Sequence, residues 1–335
     1  MDRRSLVFTG PREAAVRETT FAPAPDEAVV RTRFSAINAG TELLIYRGEA
    51  PRELPADATL DSLDGDLSYP LRYGYAAVGD VTAVGDAVDD EWLDRTVFAF
   101  TPHDTAFAAG PAQLVPVPED VDPAAMTMLP SAETATSLVL DGRPRVGERV
   151  VVFGAGVIGL FTLALLASFP LERLVAVEPV AERREQARRL GADAAVAPEN
   201  LEDVLSMDRE EGADLLYELS GQPEALDDAV GAAGYDSRVI VGSWYGTKRA
   251  SLDLGGGFHR DRVSIESSQV STLAPEARGR WSKERLLDTA LDHLRGVDTD
   301  PLATHRFAFE NAPSAYDLLA DGRNDALQVL LHYDD

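Results

Sequence analysis

The sequence predicts an α/β protein in which a doubly wound parallel sheet accompanies a second, β-rich part. Two observations carry this prediction: strand-like segments punctuated by Gly and Pro lie before residue 149, and regular strand–helix alternation follows it. The chain has 335 residues, which suits two domains of ordinary size. An apolar content of 45% argues against disorder over most of that length.

The first part contains predicted strands, a long loop and one helix. Apolar and β-branched runs between turn residues predict the strands, and the polar stretch 47–69 predicts the loop. Asp122 followed by Pro123 is typical of an N-cap before a first helical proline, so we predict a helix over 123–140. The predicted strands are Val29–Ile37, Ala76–Val84 and Arg95–Phe100.

From Arg149 onward the pattern favours a parallel sheet with helices on both faces. Segment 150–170 has no charged residue and is long enough for a membrane span, but its clustered glycines favour a buried strand, a turn and a buried helix. The predicted strands are Val150–Phe153, Arg173–Val177, Leu215–Glu218 and Arg238–Gly242, and the predicted helices are Gly156–Ser168, Ala181–Leu190, Pro223–Ala233 and Lys283–Leu294. The tail predicts a strand, a helix and a last strand that return to the first part.

The charge balance excludes several classes of partner. There are 57 acidic and 31 basic residues, a net charge of -26, and the only lysines are Lys248 and Lys283. A surface this negative disfavours nucleic acid and highly anionic substrates. Because salt screens such self-repulsion, we expect a halophilic protein from a cytosol of high ionic strength, with an ordinary acidic protein as the alternative.

The lack of cysteine limits the possible chemistry, and the N-terminal sequence bears on the location. The absence of cysteine excludes disulfides, thiolate nucleophiles and thiolate metal ligands. The pair Arg3-Arg4 is not followed by an apolar segment, so we predict no export signal, a cytoplasmic location and no membrane partner.

A glycine turn provides the strongest functional signal. Gly154, Gly156 and Gly159 follow an apolar strand and open an apolar helix. These glycines permit a tight turn, a close approach of the backbone to a pyrophosphate, and close packing of helix on strand. Helix-terminal amides then favour the phosphates. The predicted contacts within this turn are Gly154, Ala155, Gly156, Val157, Ile158 and Gly159.

An acidic residue at the end of the next strand favours NAD. Glu178 lies 19 residues after Gly159, where a carboxylate accepts hydrogen bonds from ribose hydroxyls and repels a 2′-phosphate. Arg183 lies near this position, so NADP remains an alternative cofactor. Ser220, Gly242 and Ser243 follow later strands, and the carboxyl ends of parallel strands are where a dinucleotide binds. We therefore predict cofactor contacts at all of these residues.

Several longer motifs match a known family. They are SAINAGTELLIYRG at 35–48, YGYAAVGDVTAVGDAV at 73–88, RVGERVVVFGAGVIG at 145–159 and EPVAERREQARRLGAD at 178–193. With these motifs the chain resembles the medium-chain dehydrogenase/reductase superfamily, the alcohol-dehydrogenase-like proteins. Its G-T-E, G-Y-A and S-W-Y-G motifs resemble a subgroup that lacks the usual zinc ligands, distantly like bacteriochlorophyllide dehydrogenase.

The resemblance implies a domain order and a cofactor. It implies a GroES-like catalytic domain over 1–128, a Rossmann NAD(P)-binding domain over 129–269 and a C-terminal return to the catalytic domain over 270–335. The nicotinamide and the substrate would lie in the cleft between the domains. Thr134 matches a threonine that contacts the nicotinamide in relatives.

The same resemblance argues against the usual catalytic zinc. The family's ligand positions hold Ala39 and Tyr75, and the third falls near Pro130 or Ser131. Since zinc needs three or four converging N, S or O ligands, we expect no zinc and no other metal. A different site built from Glu42, Glu133 and His103 remains an alternative.

Three residues are the predicted catalytic groups. Thr41 matches the position whose hydroxyl starts the family's proton relay; its alternative role is to cap a helix that begins at Glu42. Tyr75 stands at a zinc-ligand position, where its phenol could donate to a carbonyl oxygen or merely fill space. His103 follows an apolar strand and is the best placed of the histidines for acid–base chemistry, although it could be a satisfied loop residue.

Together these observations predict an NAD(P)-dependent oxidoreductase of the medium-chain class without catalytic zinc. Hydride transfer would link nicotinamide to an alcohol, a carbonyl compound or an activated alkene, with a small molecule as substrate and a homodimer or homotetramer as the assembly. One alternative is a zinc-dependent dehydrogenase with O/N ligands. Another is a non-catalytic dinucleotide-binding sensor or scaffold.

Overall fold

A computed structural model describes residues 1–57, 59–60, 62–205, 212–322 and 325–334. The chain divides into two compact units. The first comprises Met1–Pro130 with Thr299–Asp335, and the second comprises Ser131–Asp298. The predicted fold class is confirmed, because one unit is rich in antiparallel strands and the other contains a parallel sheet with helices.

The N-terminal part of the first unit is built from strands. Its strands are β1 (Asp2–Gly10), β2 (Glu13–Thr20), β3 (Ala28–Ile37), β4 (Ala77–Val84), β5 (Thr96–Ala99), β6 (Ala106–Ala109) and β7 (Val115–Pro116). Its helices are α1 (Ala39–Arg47) and α2 (Pro123–Met126). Strands β1 and β2 form a separate two-stranded sheet. In the larger sheet, β3, β4, β5 and β7 are antiparallel neighbours in that order, and β6 also pairs with β3. The predicted strands are confirmed, and the hairpin was not predicted.

The helix predicted over 123–140 is two helices. Asp122 caps α2, accepting from the amide of Ala124 as predicted, and α3 (Leu129–Gly142) follows after a short break. Pro130 lies in the first turn of α3. Because proline has no N–H and its ring clashes with the carbonyl four residues earlier, the preceding helix must end before it.

The second unit contains a six-stranded parallel sheet. Its further strands are β8 (Arg149–Phe153), β9 (Arg173–Val177), β10 (Ala194–Val196), β11 (Ala213–Glu218), β12 (Ala233–Val241) and β13 (Ser264–Ser267). Its further helices are α4 (Val157–Leu166), α5 (Ala181–Arg189), α6 (Leu201–Leu205), α7 (Pro223–Ala232), α8 (Gly257–Arg260) and α9 (Lys283–Arg295). The order β10-β9-β8-β11-β12-β13 reverses direction beside β8, which places the end of β8 where this architecture binds ligands.

The tail completes the first unit. It consists of β14 (His305–Ala308), α10 (Ala312–Ala320) and β15 (Val329–His332), and β15 pairs antiparallel with β3. The return begins at Thr299 and not at residue 270, because α9 belongs to the second unit. Leu286 and Leu294 of α9 are buried, and His293 Nε2 lies 2.9 Å from the carbonyl of Phe161. No helix among the described residues is both long and apolar enough to cross a membrane.

Candidate cofactor and catalytic site

The glycine turn of the second unit tolerates no side chain at two of its three glycines. Gly154 has φ 95°, and a Cβ there would lie 2.8 Å from the backbone of Ser220. A Cβ on Gly159 would lie 2.0 Å from the carbonyl oxygen of Gly154. Gly156 is the N-cap of α4 and has open space on its Cβ side. The first turn of the helix therefore presents amides to an open space, a geometry that fits a diphosphate.

Glu178 is tied to this turn. It is 4% exposed, its Oε2 accepts from the amide of Ala155 over 2.8 Å, and its Oε1 accepts from the amide of Val180 over 2.9 Å. Each carboxylate oxygen keeps a second lone pair with which to accept a ribose hydroxyl. Arg184 donates to the carbonyls of Glu178 and Pro179, so this arginine braces the backbone. Arg183 lies beside it on α5.

A second polar cluster follows β11 and β12. Glu218 is fully buried, and its carboxylate accepts from the amide of Ser220 over 2.8 Å and from the hydroxyl of Tyr245 over 2.5 Å. The hydroxyl of Ser243 accepts from the amide of Gly221 over 2.9 Å. The predicted pair Ser220 and Ser243 is thus brought together. Gly242 lies at the end of β12, where a Cβ would be 2.6 Å from the side chain of Leu219.

Sequence reasoning missed two members of this cluster. Glu218 ends a buried strand and Glu178 directly follows one, so the position of Glu218 was a signal that could have found it. Lys248 donates from Nζ to the carbonyl of Gly221 over 3.0 Å. It is one of two lysines in the chain, and this rarity was the available signal.

The start of α3 carries a buried carboxylate that pairs with a half-exposed lysine, next to Thr134. Glu133 is 5% exposed and lies 2.6 Å from Lys283 Nζ, which also donates to the carbonyl of Val270. Burial raises the pKa of Glu133, and Lys283 opposes that rise. Thr134 follows Glu133 on α3. Its contact with the nicotinamide stays a prediction.

In the first unit, two predicted catalytic hydroxyls lie together. Thr41 is in the first turn of α1, which begins at Ala39 and not at Glu42. The hydroxyl of Tyr75 donates to Thr41 Oγ1 over 3.4 Å. Burial raises the pKa of Tyr75 well above its usual value, so the phenol keeps its proton and remains a donor.

Both ring nitrogens of His103 are hydrogen-bonded within the fold. The residue is fully buried, with Nδ1 2.7 Å from Ser35 Oγ and Nε2 3.0 Å from Glu42 Oε2. Its predicted acid–base role stays a prediction. Ser35 is in turn 2.8 Å from the hydroxyl of Tyr333, which extends the chain of hydrogen bonds.

The alternative metal ligands have their donor atoms engaged as well. Glu42 is fully buried; its Oε1 accepts from the amide of Asn38 over 2.7 Å, and its Oε2 accepts from the hydroxyl of Tyr316. Ala39 and Tyr75 supply neither a thiolate nor an imidazole. Within the described part of the chain, no three His, Asp or Glu side chains are grouped to hold a metal ion. These residues do not fit the zinc of the family pattern.

Comparisons with known proteins agree with this architecture. The family model of zinc-binding dehydrogenases matches residues 157–286. D-guloside 3-dehydrogenase of Escherichia coli (strain K12) is 27% identical over 335 residues, which cover 93% of this chain and 95% of that protein.

Two solved structures show the same fold over nearly the whole chain. A short chain alcohol dehydrogenase from E. coli CFT073, complexed with cofactor NADH, has a TM-score of 0.78 and 20% identity and covers 99% of both chains. The 2R,3R-butanediol dehydrogenase of Bacillus subtilis has a TM-score of 0.80 and 17% identity, covering 99% of this chain and 100% of that one.

Proposed function

The chain belongs to the medium-chain dehydrogenase/reductase superfamily, and from this premise we propose that it is an NAD-dependent alcohol dehydrogenase that works without catalytic zinc. One observation carries the proposal: the hydroxyls of Thr41 and Tyr75 pair at 3.4 Å while the donor atoms of Glu42 and His103 are engaged within the fold. This arrangement supports proton handling by hydroxyl groups and not by a metal-bound oxygen.

The second unit supplies the residues that would hold the dinucleotide. The amides of the glycine turn and of the first turn of α4 would bind the diphosphate, and Glu178 would accept from the adenosine ribose. The bound nicotinamide supplies the hydride acceptor. Glu178 favours NAD, because its buried carboxylate would repel a 2′-phosphate and Arg184 is already bonded to backbone carbonyls.

The first unit supplies the group that binds the reacting oxygen. Tyr75 holds its proton because burial raises the pKa of its phenol, so it donates a hydrogen bond to a carbonyl oxygen and strengthens that bond as negative charge develops. The phenol has a single hydrogen, which it donates to Thr41 in this structure. With a carbonyl compound bound, this hydrogen turns to the carbonyl oxygen, and the Thr41 hydroxyl donates to the phenol oxygen. During alcohol oxidation the alcohol proton passes to one hydroxyl of the pair as that hydroxyl gives its own proton to the other, and the net proton is released to water.

The substrate we propose is a neutral secondary alcohol of the polyol or sugar kind. A strongly negative protein disfavours anionic substrates. The relative named D-guloside 3-dehydrogenase makes a D-guloside the first compound to test. Reduction of an activated alkene is the second reaction type to test.

Metal content and turnover test the proposal together. Protein purified in molar KCl should contain far less than one zinc per chain, quench its tryptophan fluorescence on binding NADH, and reduce NAD with at least one member of an alcohol panel after treatment with a chelator. Stoichiometric zinc whose removal abolishes turnover would favour the zinc-dependent alternative. NADH binding without turnover of any compound would favour the sensor.

The net charge supports a further part of the proposal, a working environment of high ionic strength. A charge of -26 repels itself in dilute buffer and is screened at about 3 Å in molar salt. The melting temperature should therefore rise steeply between low and molar KCl, and a flat response would contradict a halophilic protein. A cytoplasmic location and a homodimer or homotetramer remain predictions, the latter open to light scattering.

A further inference from the structure

Two separate links join helix α1 to the segment that precedes β4. The first is the hydroxyl pair of Thr41 and Tyr75. The second runs through the neighbours of these residues: Glu42 follows Thr41 and bonds to His103, and the ring of His103 lies against Gly74, which precedes Tyr75. The two links therefore fix the same pair of segments from two sides.

The contact between His103 and Gly74 requires the glycine. Gly74 has φ 117°, a left-handed conformation that side chains rarely adopt. A Cβ at this position would lie 2.5 Å from His103 Cδ2 and 2.6 Å from Nε2. The histidine ring thus occupies the space that a side chain would fill, and it defines where the backbone before Tyr75 can lie.

Hydrogen bonds surround this link. The ionised carboxylate of Glu42 accepts from His103 Nε2. His103 Nδ1 lies 2.7 Å from Ser35 Oγ, which lies 2.8 Å from the hydroxyl of Tyr333. Tyr316 and the amide of Asn38 supply the remaining bonds to Glu42. Every polar atom of the two linking side chains has a partner, which holds both rigidly.

We propose that Glu42 and His103 are positioning residues that set the distance between the hydroxyls of Thr41 and Tyr75. This inference rests on the proposed function, because it takes those hydroxyls as the groups that handle the proton. By contacting both segments, Glu42 and His103 hold α1 and the segment before β4 at a fixed spacing, as a ligand bound to both segments would do. A misplacement of about 1 Å at a reacting group lowers rates by up to roughly 100-fold, so the spacing has kinetic weight.

Two substitutions of His103 test its hydrogen bond to Glu42. The amide of His103→Gln reaches the place of Nε2 and can still donate to Glu42. The amide of His103→Asn reaches only the place of Nδ1, so it keeps Ser35 and loses Glu42. Both replace the ring with a smaller polar group, and circular dichroism with thermal melting would show that each variant folds.

The expected result is an ordered loss of turnover. His103→Asn should lower kcat about tenfold more than His103→Gln, with the dissociation constant of NADH unchanged within about twofold, because the lost interaction acts on the reacting groups and not on cofactor binding. Equal kcat values for two folded variants would overturn the proposal. Arg238→Gln breaks a buried pair with Glu148 in the second unit and serves as the matched control, which should lose stability but not turnover.

A spectroscopic measurement tests the spacing without any substrate. Protein labelled with 3-fluorotyrosine gives a ¹⁹F resonance for Tyr75, identified by its loss in Tyr75→Phe. This resonance should shift or broaden in His103→Asn and stay closer to its normal position in His103→Gln. If no compound is turned over, the proposed function fails, while an identical Tyr75 resonance in both variants would overturn the positioning role by itself.

Discussion

The two units build their candidate sites from different materials. In the second unit the candidate site is a glycine turn made of backbone, and steric contact restricts which residues it can contain. A Cβ on Gly159 would lie 2.0 Å from a carbonyl oxygen. In the first unit the site is a network of side chains, with Glu42 bonded to His103, Tyr316 and the amide of Asn38. A side chain added to a site made of backbone should abolish binding in one step. Removal of single partners from a side-chain network should instead lower activity by degrees.

The sharpest test of this contrast is Gly159→Val. The added side chain must displace either α4 or the glycine turn, so NADH affinity should fall more than about 100-fold and the melting temperature should drop. Gly231→Ala is the matched control: Gly231 lies in α7 with open space beside it, so this change should leave binding intact and stabilise by about 0.5–1 kcal/mol. Isothermal calorimetry in molar KCl measures both, and tight NADH binding by Gly159→Val would refute the contrast.

Tyr75→Phe tests the graded behaviour expected of the first unit. Loss of the phenol should lower turnover by roughly 10²–10³-fold with little effect on NADH affinity, because acid–base groups contribute on this scale. Burial raises the pKa of Tyr75, so its protonated form persists as pH rises and its titration should not limit the rate below about pH 10. Steady-state kinetics against pH measure both, and an unchanged rate in Tyr75→Phe would remove it from the mechanism.

Glu178→Gln should have a smaller effect, because the carboxamide keeps one acceptor oxygen for a ribose hydroxyl while its NH2 group loses one of the two backbone amides that the carboxylate accepts. We expect NADH affinity to fall about tenfold and the preference over NADPH to shrink, since the negative charge that would repel a 2′-phosphate is gone. Glu185→Gln on the following helix α5 is the control, because Glu185 is exposed and pairs with Arg189 along that helix. An unchanged preference in Glu178→Gln would mean that another group selects the cofactor.

The smallest expected effect concerns stability against pH in the second unit. Burial lowers the pKa of His293, which bonds to the carbonyl of Phe161. A lowered pKa means that the native state disfavours the charged ring, so this stabilisation is present above about pH 6.5 and is lost as pH falls through the native pKa. The difference in unfolding free energy between pH 7.5 and pH 5 should therefore be smaller in His293→Gln, as denaturant titration would show.

Local patterns explain which features could be predicted. The glycine turn, Glu178 and the flanking strands occupy one continuous stretch, where residue type and backbone conformation are directly linked. The break between α2 and α3 was missed, although Pro130 in the first turn of α3 is its local cause. The hairpin β1–β2 was missed because its second strand is exposed and only weakly patterned.

The role of His103 was not predictable from its neighbours in sequence. Its partners Glu42 and Ser35 lie 61 and 68 residues away, and Tyr316 reaches Glu42 across 274 residues. The residue itself was identified as a candidate by its type and its position after a strand. Its complete burial is a property of tertiary packing alone.

The scarcity of lysine has a practical consequence. Lys248 and Lys283 are the only side-chain amines in 335 residues, and each lies in the second unit with its Nζ on a backbone carbonyl. Lys283 is 46% exposed, so an acylating dye can reach it, whereas the arginines that dominate the basic surface do not react. With the N-terminal amine, the two lysines therefore limit acylating reagents to three amines in the chain, so fluorophores or a surface can be attached at few positions.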